Sequence, residues 1–220
     1  MISPVVENYL KAIYYLQDES SGEISTSTLA ERLGVASPSV TSMLQKLAQH
    51  RPKLVNYERR GGATLAPAGR KIALEVIRHH RLIELYLAEA LDYAWDEVDA
   101  EAEKLEHVIS EEFEDKIAER LGAPQLDPHG DPIPTKGGSV AEPSRLTLLE
   151  LEVGQTARVT RVRDDDPAFL RYLTELGISL NAQVVVTDKA PFDGPLQVTV
   201  GESVRALSRT AAKWIFVEPE

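Results

Sequence analysis

Cysteine is absent from the 220 residues, and no long apolar run is present. Without thiols the chain forms no disulfide and no thiolate-bound metal site, so any metal ion must be held by nitrogen and oxygen ligands. The opening segment lacks a basic start followed by an apolar stretch, because Glu7 and Lys11 interrupt it. We therefore expect neither a signal peptide nor a membrane span, and a cytoplasmic location.

Positive charge is also scarce, since the formal net charge is −11. A strongly acidic protein is a poor partner for nucleic acid, because duplex affinity depends on neutralising phosphates. The charge is unevenly distributed, however: residues 1–75 carry nine Lys/Arg and seven Asp/Glu, whereas the remainder carries 15 and 28. The acidic excess thus lies outside the N-terminal segment. It suits carboxylates that attract cations, and it equally suits a merely soluble surface.

The N-terminal third has the pattern of a helix-turn-helix. Apolar residues spaced by three and four predict a helix over residues 4–18. A run of hydroxyl side chains then provides N-caps for a short helix over 28–33, which Gly34 ends. A third helix begins at Ser37 and runs to about residue 50. Two short helices joined by a tight turn are typical of DNA-binding units.

A basic hairpin follows. Short β-like runs over 54–58 and 63–66 flank Arg59 and Arg60, which predicts the wing of a winged helix. The third helix presents small hydroxyls, Gln and Lys, which can bond phosphates and base edges. A generic three-helix core with a polar surface is the alternative for the helices alone. The predicted DNA-binding residues are Ser37, Pro38, Ser39, Thr41, Ser42, Gln45, Lys46, Arg59 and Arg60.

The rest of the chain divides into helical and β-rich parts. Helices are predicted over about 67–91 and 96–121, followed by an irregular Pro/Gly-rich linker over 123–144. From residue 146, β-rich runs with one helix at 167–176 predict a small β-barrel. The predicted strands are 157–162, 183–187, 196–200 and 213–217. The predicted fold is mainly α with small β parts, in four segments: 1–70, DNA-binding; 71–135, metal-binding and dimerisation; 136–145, linker; and 146–220, β-barrel.

Acidic and imidazole side chains recur at helical spacing. Glu103, Glu106 and His107 are spaced i, i+3, i+4 and would share one helix face, and His80 and Glu84 are spaced i, i+4. This donor set suits Mn²⁺, Fe²⁺ or Zn²⁺ better than Cu⁺. The alternative is a solvated acidic helix, and His79 is expected at the surface. A catalytic metal with Glu106 as general base is a further alternative, but no HExxH or nucleophile motif supports an enzyme.

Together these motifs resemble the diphtheria-toxin-repressor family, which includes the iron-dependent and manganese-transport regulators. The matching stretches are Glu7-Asn8-Tyr9-Leu10-Lys11-Ala12-Ile13-Tyr14, Leu29-Ala30-Glu31-Arg32-Leu33, Ser37-Pro38-Ser39-Val40-Thr41, Leu65-Ala66-Pro67-Ala68-Gly69-Arg70, His79-His80-Arg81-Leu82-Ile83-Glu84, Glu106-His107-Val108-Ile109-Ser110 and Gly130-Asp131-Pro132-Ile133-Pro134. They cover residues 3–135, and the β-rich remainder resembles the SH3-like (FeoA-like) domain of the longer members.

The resemblance implies metal ligands. Glu106, His107 and His80 match family ligands, and Glu103 replaces the cysteine of the iron regulators. The resemblance further implies an ancillary site of His80, Glu84 and Asp99, with Asp165 as an additional carboxylate. Two positions depart from the family: Asn8 offers only a neutral carbonyl oxygen, and Lys11 stands where short manganese regulators use a glutamate. The expected grouping is Asn8, Glu103, Glu106 and His107 at one site, and His80, Glu84 and Asp99 at another.

The function implied is that of a metal-dependent repressor. Such a protein binds double-stranded operator DNA as a homodimer when loaded with Mn²⁺, or alternatively Fe²⁺, and controls genes of metal-ion homeostasis. Zn²⁺, Co²⁺ or Cd²⁺ are expected to substitute in vitro. No membrane partner is expected. The alternative is a winged-helix regulator that responds to a small organic ligand.

Overall fold

The computed structural model describes residues 2–20 and 22–220. The chain forms two compact units, and the boundary between them falls between His79 and His80. Unit 1 contains the residues up to His79 together with Glu106–Ile109 and Pro134–Ser139, and unit 2 contains His80–Leu105, Ser110–Ile133 and Val140–Glu220. No helix among the described residues combines the length and the apolar character that crossing a membrane requires.

Three helices open unit 1: α1 (Pro4–Ser20), α2 (Thr26–Leu33) and α3 (Ser37–Gln49). The Ser25 hydroxyl accepts a hydrogen bond from the Thr28 amide at the start of α2. Gly34 ends the same helix at φ 64°, in the left-handed region that favours glycine. The predicted helix-turn-helix is confirmed.

The wing is an antiparallel hairpin of β1 (Val55–Glu58) and β2 (Gly62–Leu65). Ile24 bridges to Ala63 and adds a third short segment. Apolar side chains of α1, α2, α3 and the hairpin pack into one core. Because these elements share that core, a displacement of α1 is expected to displace α3 as well.

The helices that follow are α4 (Pro67–Leu91), α5 (Val98–Leu105) and α6 (Glu111–Arg120). The prediction of one helix over 96–121 is wrong, because it is interrupted after Leu105. The Ser110 hydroxyl accepts a hydrogen bond from the Phe113 amide and so caps a new helix. Glu106 and His107 therefore lie in a turn, and they do not share a helix face with Glu103.

The C-terminal part of unit 2 is a five-stranded antiparallel sheet in the order β6-β5-β4-β3-β7. Its elements are β3 (Thr156–Val162), α7 (Pro167–Leu176), β4 (Gln183–Lys189), β5 (Leu196–Val200), β6 (Ser203–Leu207), α8 (Arg209–Lys213) and β7 (Ile215–Pro219). The predicted small β-barrel is confirmed. Strand β6 was not predicted, because it is only five residues long and carries a single β-branched residue, Val204. The last strand begins at Ile215, since α8 occupies the residues before it.

The segment predicted as an irregular linker is partly an ordered turn. Asp127 accepts hydrogen bonds from the amides of His129 and Asp131, both at 2.9 Å. Gly130 lies so close to β3 that a Cβ there would stand 2.1 Å from the Thr160 carbonyl oxygen. The His129 carbonyl accepts from the Val162 amide. Residues 127–133 are therefore packed within unit 2. The segment over 123–144 is irregular as predicted, without helix or strand, but this part of it is fixed by its contacts.

Candidate metal centres and DNA-binding surface

The first candidate centre lies in unit 1, where the turn after α5 meets α1. Glu106 is 1% exposed, and its Oε1 stands 3.3 Å from His107 Nε2. The Asn8 side-chain oxygen and His107 Nε2 are both buried, and neither has a hydrogen-bond partner among the described residues. Leaving such atoms unsatisfied is costly, whereas a divalent cation would satisfy both. The donors present thus fit a bound metal ion.

Three further contacts surround these donors. Lys11 Nζ lies 2.6 Å from Glu106 Oε2. Glu7 Oε2 lies 2.6 Å from His107 Nδ1. His79 was expected at the surface and is instead 8% exposed, with Nδ1 at 3.1 Å from the Glu106 carbonyl oxygen. That expectation is wrong because α4 turns this ring inward.

The predicted ancillary residues come together in unit 2. His80 Nε2 lies 3.4 Å from Glu84 Oε1 and 3.3 Å from Asp99 Oδ1. One ligand atom from each of the three lies within 4.8 Å of the others. His80 Nδ1 also stands 3.9 Å from Glu103 Oε2. Both sides of the imidazole ring of His80 therefore face carboxylates.

A second group around Glu84 was missed by sequence reasoning. Ligand atoms of Glu84, Asp127 and His129 lie within 4.8 Å of one another, and all three residues are buried. His129 Nδ1 stands 3.8 Å from Glu84 and 3.7 Å from Asp164. Both Glu84 carboxylate oxygens, Asp127 Oδ2 and His129 Nδ1 have no hydrogen-bond partner among the described residues. This donor set also fits a divalent cation.

Asp165 is placed elsewhere. Its two carboxylate oxygens accept hydrogen bonds from Arg163 at 2.5 and 2.7 Å. The preceding residue, Asp164, is the one that faces His129. Asp127 and His129 carried one usable signal in the sequence, a histidine between two aspartates in a Pro/Gly-rich turn, whereas Asp164 carried none.

The electrostatics of this group favour a cation. Burial, reinforced by the carboxylates of Asp131 and Glu84, raises the pKa of Asp127 to about 8. Burial acts to lower the pKa of His129, but Glu84, Asp127 and Asp164 outweigh it, so that pKa is raised. Both pKa values are raised because several carboxylates lie close together in a buried environment, and a bound cation would offset their negative charge.

Arg81 offsets part of that charge. Its Nε lies 3.4 Å from Asp127 Oδ2, its Nη2 lies 3.4 Å from Asp131 Oδ1, and its Nη1 donates to the Pro132 carbonyl at 2.6 Å. The guanidinium thereby holds the turn over 127–132 against α4. Glu84 lies on the same helix, so the same contacts fix its carboxylate beside the turn.

The predicted DNA-binding residues lie along α3 and at the tip of the wing. Thr41 is half-buried, and its hydroxyl donates to the Ser37 carbonyl at 3.1 Å. The remaining eight are exposed: Ser37, Pro38, Ser39, Ser42, Gln45, Lys46, Arg59 and Arg60. Arg51 and Lys53 are also exposed, in the loop after α3, and were not predicted. Residues 46–60 hold five Lys/Arg against one Asp/Glu, in contrast to the net charge of the chain.

Comparisons with known proteins cover the whole chain. Residues 1–63 match the N-terminal DNA binding domain of iron dependent repressors, residues 66–135 match their metal binding and dimerisation domain, and residues 146–219 match the FeoA domain. The iron-dependent repressor IdeR of Mycobacterium tuberculosis is 31% identical over 224 residues, which covers 96% of each protein. The diphtheria toxin repressor of Corynebacterium glutamicum is 29% identical over 193 residues, 83% of each.

Solved structures agree with these matches. A manganese-dependent transcriptional repressor in complex with manganese has a TM-score of 0.89 and 39% identity, covering 98% of this chain and 100% of that one. The manganese regulator SloR has a TM-score of 0.79 and 30% identity, covering all of both chains. The chain therefore belongs to the diphtheria-toxin-repressor family of metal-dependent transcriptional regulators, in the long form that carries an SH3-like C-terminal domain.

Proposed function

We propose that this protein represses transcription by binding operator DNA as a homodimer when it is loaded with Mn²⁺, or alternatively Fe²⁺, and that it controls genes of metal-ion homeostasis. The observation that carries the proposal is a set of buried donor atoms in unit 1. Asn8 Oδ1 and His107 Nε2 have no hydrogen-bond partner among the described residues, and Glu106 Oε1 lies 3.3 Å from His107 Nε2. Asn8 lies on α1, which shares a core with the recognition helix α3.

The donor chemistry ranks the metals. Carbonyl and carboxylate oxygens with imidazole nitrogen, and no thiolate, suit Mn²⁺ better than softer ions. In unit 1 the proposed ligands are Asn8, Glu106 and His107. Glu106 Oε2 already contacts the Lys11 ammonium at 2.6 Å, so a bound ion would share that carboxylate with Lys11.

In unit 2 we propose that His80 and Glu84 hold metal together with Asp99 and Glu103, or with Asp127, His129 and Asp164. The two arrangements share Glu84, so its carboxylate is a proposed ligand in either arrangement. Asp165 is omitted because Arg163 occupies its carboxylate.

Counting bound metal tests this assignment. If the Glu84, Asp127 and His129 group holds the ion, chelator-treated protein dialysed against Mn²⁺ is expected to bind one ion fewer per chain on His129→Ala, because the group loses its imidazole. If Asp99 and Glu103 complete the site instead, the count is expected to stay unchanged. The matched control is His50→Ala, since His50 is exposed and its ring contacts only the Pro52 carbonyl among the contacts described. A His129→Ala protein that keeps the full metal count, measured by plasma mass spectrometry, would contradict a metal site there.

Metal and DNA are proposed to favour the same conformer. A ligand can shift an equilibrium only by its differential affinity for the two states. Asn8 gives the metal a different affinity for the two conformers. Asn8 moves with α1, whereas Glu106 and His107 follow α5 in the chain, so the three ligands come together in only one of the conformers. Coordination by all three residues holds α1, and with it α3, in one arrangement. By linkage, operator DNA then raises metal affinity by the same factor.

Dimerisation is supported by apolar side chains exposed on unit 2. Leu91, Tyr93 and Phe113 are 53%, 41% and 48% exposed, on the helical part of that unit. All three lie in the segment 66–135, which matches the metal binding and dimerisation domain of iron dependent repressors. Two recognition helices in a dimer reach half-sites one helical turn apart, about 34 Å.

Salt dependence tests the wing. Arg59→Ala/Arg60→Ala is expected to weaken operator binding and to reduce the slope of log K against log salt by about 2, because two phosphate contacts are lost. The control is Arg171→Ala/Lys213→Ala, which removes two exposed cations from the C-terminal part of unit 2. Fluorescence anisotropy at several salt concentrations gives both slopes. Equal slopes for the wing variant and the wild type would remove the wing from the interface.

A further inference from the structure

Glu7 contacts a proposed metal ligand without being one of the proposed donors itself. Its Oε2 lies 2.6 Å from Nδ1 of His107, and the two side chains are only 19% and 9% exposed. Both residues belong to unit 1, Glu7 on α1 and His107 in the turn after α5. The opposite ring nitrogen, Nε2, is buried and faces Glu106 at 3.3 Å.

The chemistry of this contact fixes where the ring hydrogen sits. An ionised carboxylate only accepts hydrogen bonds, so Nδ1 must be the donor. In the neutral ring the lone pair is then on Nε2, the atom that points to the other donors. Each tautomer sets one lone pair against a carboxylate oxygen: the Nδ1–H form sets the Nε2 lone pair 3.3 Å from Glu106 Oε1, and the reverse form sets the Nδ1 lone pair 2.6 Å from Glu7 Oε2. The shorter contact with Glu7 makes the reverse form the less favourable one, and that form would also turn an N–H toward the metal position.

Lys11 makes a complementary contact from the same helix. Glu7 and Lys11 are spaced i, i+4 and therefore share one face of α1. The anion meets the imidazole N–H, while the ammonium meets Glu106 Oε2 at 2.6 Å. The two opposite charges, one helical turn apart on α1, thus each contact one proposed ligand: Glu7 contacts His107, and Lys11 contacts Glu106. A rotation of α1 would break both contacts.

We propose that Glu7 is a positioning residue that holds His107 in the Nδ1–H tautomer and aims Nε2 at the metal. This inference rests on the proposed metal role of His107. Outer partners of ligating histidines fix the ring orientation and raise its basicity, and their loss typically costs 10–100-fold in metal affinity. Glu7 also links α1 to the proposed centre in the absence of metal, through its contact with His107, whereas Asn8 links α1 to the centre only through the bound metal.

Nitrogen NMR of metal-free, ¹⁵N-labelled protein tests the tautomer directly. At about pH 8.5, where an ordinary imidazole is neutral, His107 is expected to carry its hydrogen on Nδ1 in the wild type. The spectrum of His107→Gln assigns the signals. Glu7→Gln keeps a carbonyl acceptor and is expected to retain the tautomer, whereas Glu7→Ala is expected to shift the ring toward Nε2–H. Thermal unfolding of each variant shows that it is folded.

Metal affinity provides the second measurement. Competition with a chelator is expected to show Mn²⁺ binding about 10–100-fold weaker in Glu7→Ala, with a smaller loss in Glu7→Gln. Glu19→Ala is the matched control, because it removes an exposed carboxylate from the end of the same helix. A hydrogen on Nε2 of wild-type His107, or unchanged tautomer and affinity in Glu7→Ala, would overturn the inference.

A different measurement tests whether His107 is a metal ligand, so failure of the proposed function can be distinguished from failure of this inference. Paramagnetic Mn²⁺ should broaden the His107 ring signals of the wild type. If they stay sharp at saturating Mn²⁺, His107 is not a ligand and the proposed centre is wrong. A tautomer that depends on Glu7 would still support the positioning contact in that case.

Discussion

Glu106→Gln is expected to weaken Mn²⁺ binding at the unit 1 centre by roughly 100-fold or more, about 2.7 kcal/mol. The carboxylate is 1% exposed, and it supplies the negative charge among the proposed ligands Asn8, Glu106 and His107. Glutamine keeps the size and one oxygen but removes the charge. Competition with a chelator measures the affinity, and operator binding at moderate Mn²⁺ should fall with it.

Glutamine is preferred to alanine for this test because of Lys11. Its ammonium contacts Glu106 Oε2 at 2.6 Å, so truncation to alanine would remove the oxygen that it contacts and leave a space where a buried side chain was, whereas glutamine keeps an oxygen there. Glu112→Gln is the control, since it removes the charge of an exposed glutamate on α6. Mn²⁺ affinity that is equal in Glu106→Gln and the wild type would exclude Glu106 as a ligand.

Gly130→Ala is expected to cause the largest loss of stability among the glycines of unit 2. A Cβ at this position would lie 2.1 Å from the Thr160 carbonyl oxygen and 2.8 Å from the Arg161 Cα, both of them backbone atoms of β3. The turn that carries Asp127 and His129 would have to move away from the strand. Because those two residues belong to a proposed metal group, Mn²⁺ binding in unit 2 should weaken as well.

Gly154→Ala isolates the steric part of this effect. Gly154 has φ 90° and Gly130 has φ 91°, but a Cβ at Gly154 would meet nothing within 4 Å. Both variants incur the cost of a left-handed backbone, whereas only Gly130→Ala adds the clash. We expect Gly130→Ala to lower the free energy of unfolding by about 2–3 kcal/mol more than Gly154→Ala. Calorimetry should show Tm lower by roughly a further 4–12 °C. Equal Tm values would show that the turn is not packed against β3.

Local patterns in the sequence were enough to predict most of the helices and strands. The bounds predicted for α4, residues 67–91, agree with the structure because Pro67 starts the helix and a continuous apolar periodicity follows. The wing was predicted from the glycines and arginines between two short β-like runs. These features depend on near neighbours in the chain, which a sequence displays directly.

The break between α5 and α6 was missed although a local signal was present. The apolar spacing continues through Ile109 and Phe113, so periodicity alone favoured one helix. Ser110 followed by glutamates is a helix start, and the Ser110 cap outweighs the periodicity. As a result, Glu106 and His107 lie in the turn that follows the helix of Glu103.

The remaining errors concern contacts between residues distant in sequence. Asp127 and His129 join Glu84 across more than 40 positions, and Glu7 joins His107 across 100. His79 was assigned to the surface from its angle on α4, but the Glu106 turn covers it. No spacing rule contains these pairings, since tertiary packing alone creates them. The grouping of ligands at each centre stays a prediction for the same reason.

Operator binding as a function of metal tests the central claim most directly. Chelator-treated protein is mixed with a fluorescent duplex from upstream of a metal-transporter gene, and anisotropy is followed while Mn²⁺, Fe²⁺, Zn²⁺ or Mg²⁺ is added. The account predicts binding that begins only with metal, at lower concentrations of Mn²⁺ or Fe²⁺ than of Mg²⁺. Equally tight binding in chelator would contradict it, because metal would then not be linked to DNA.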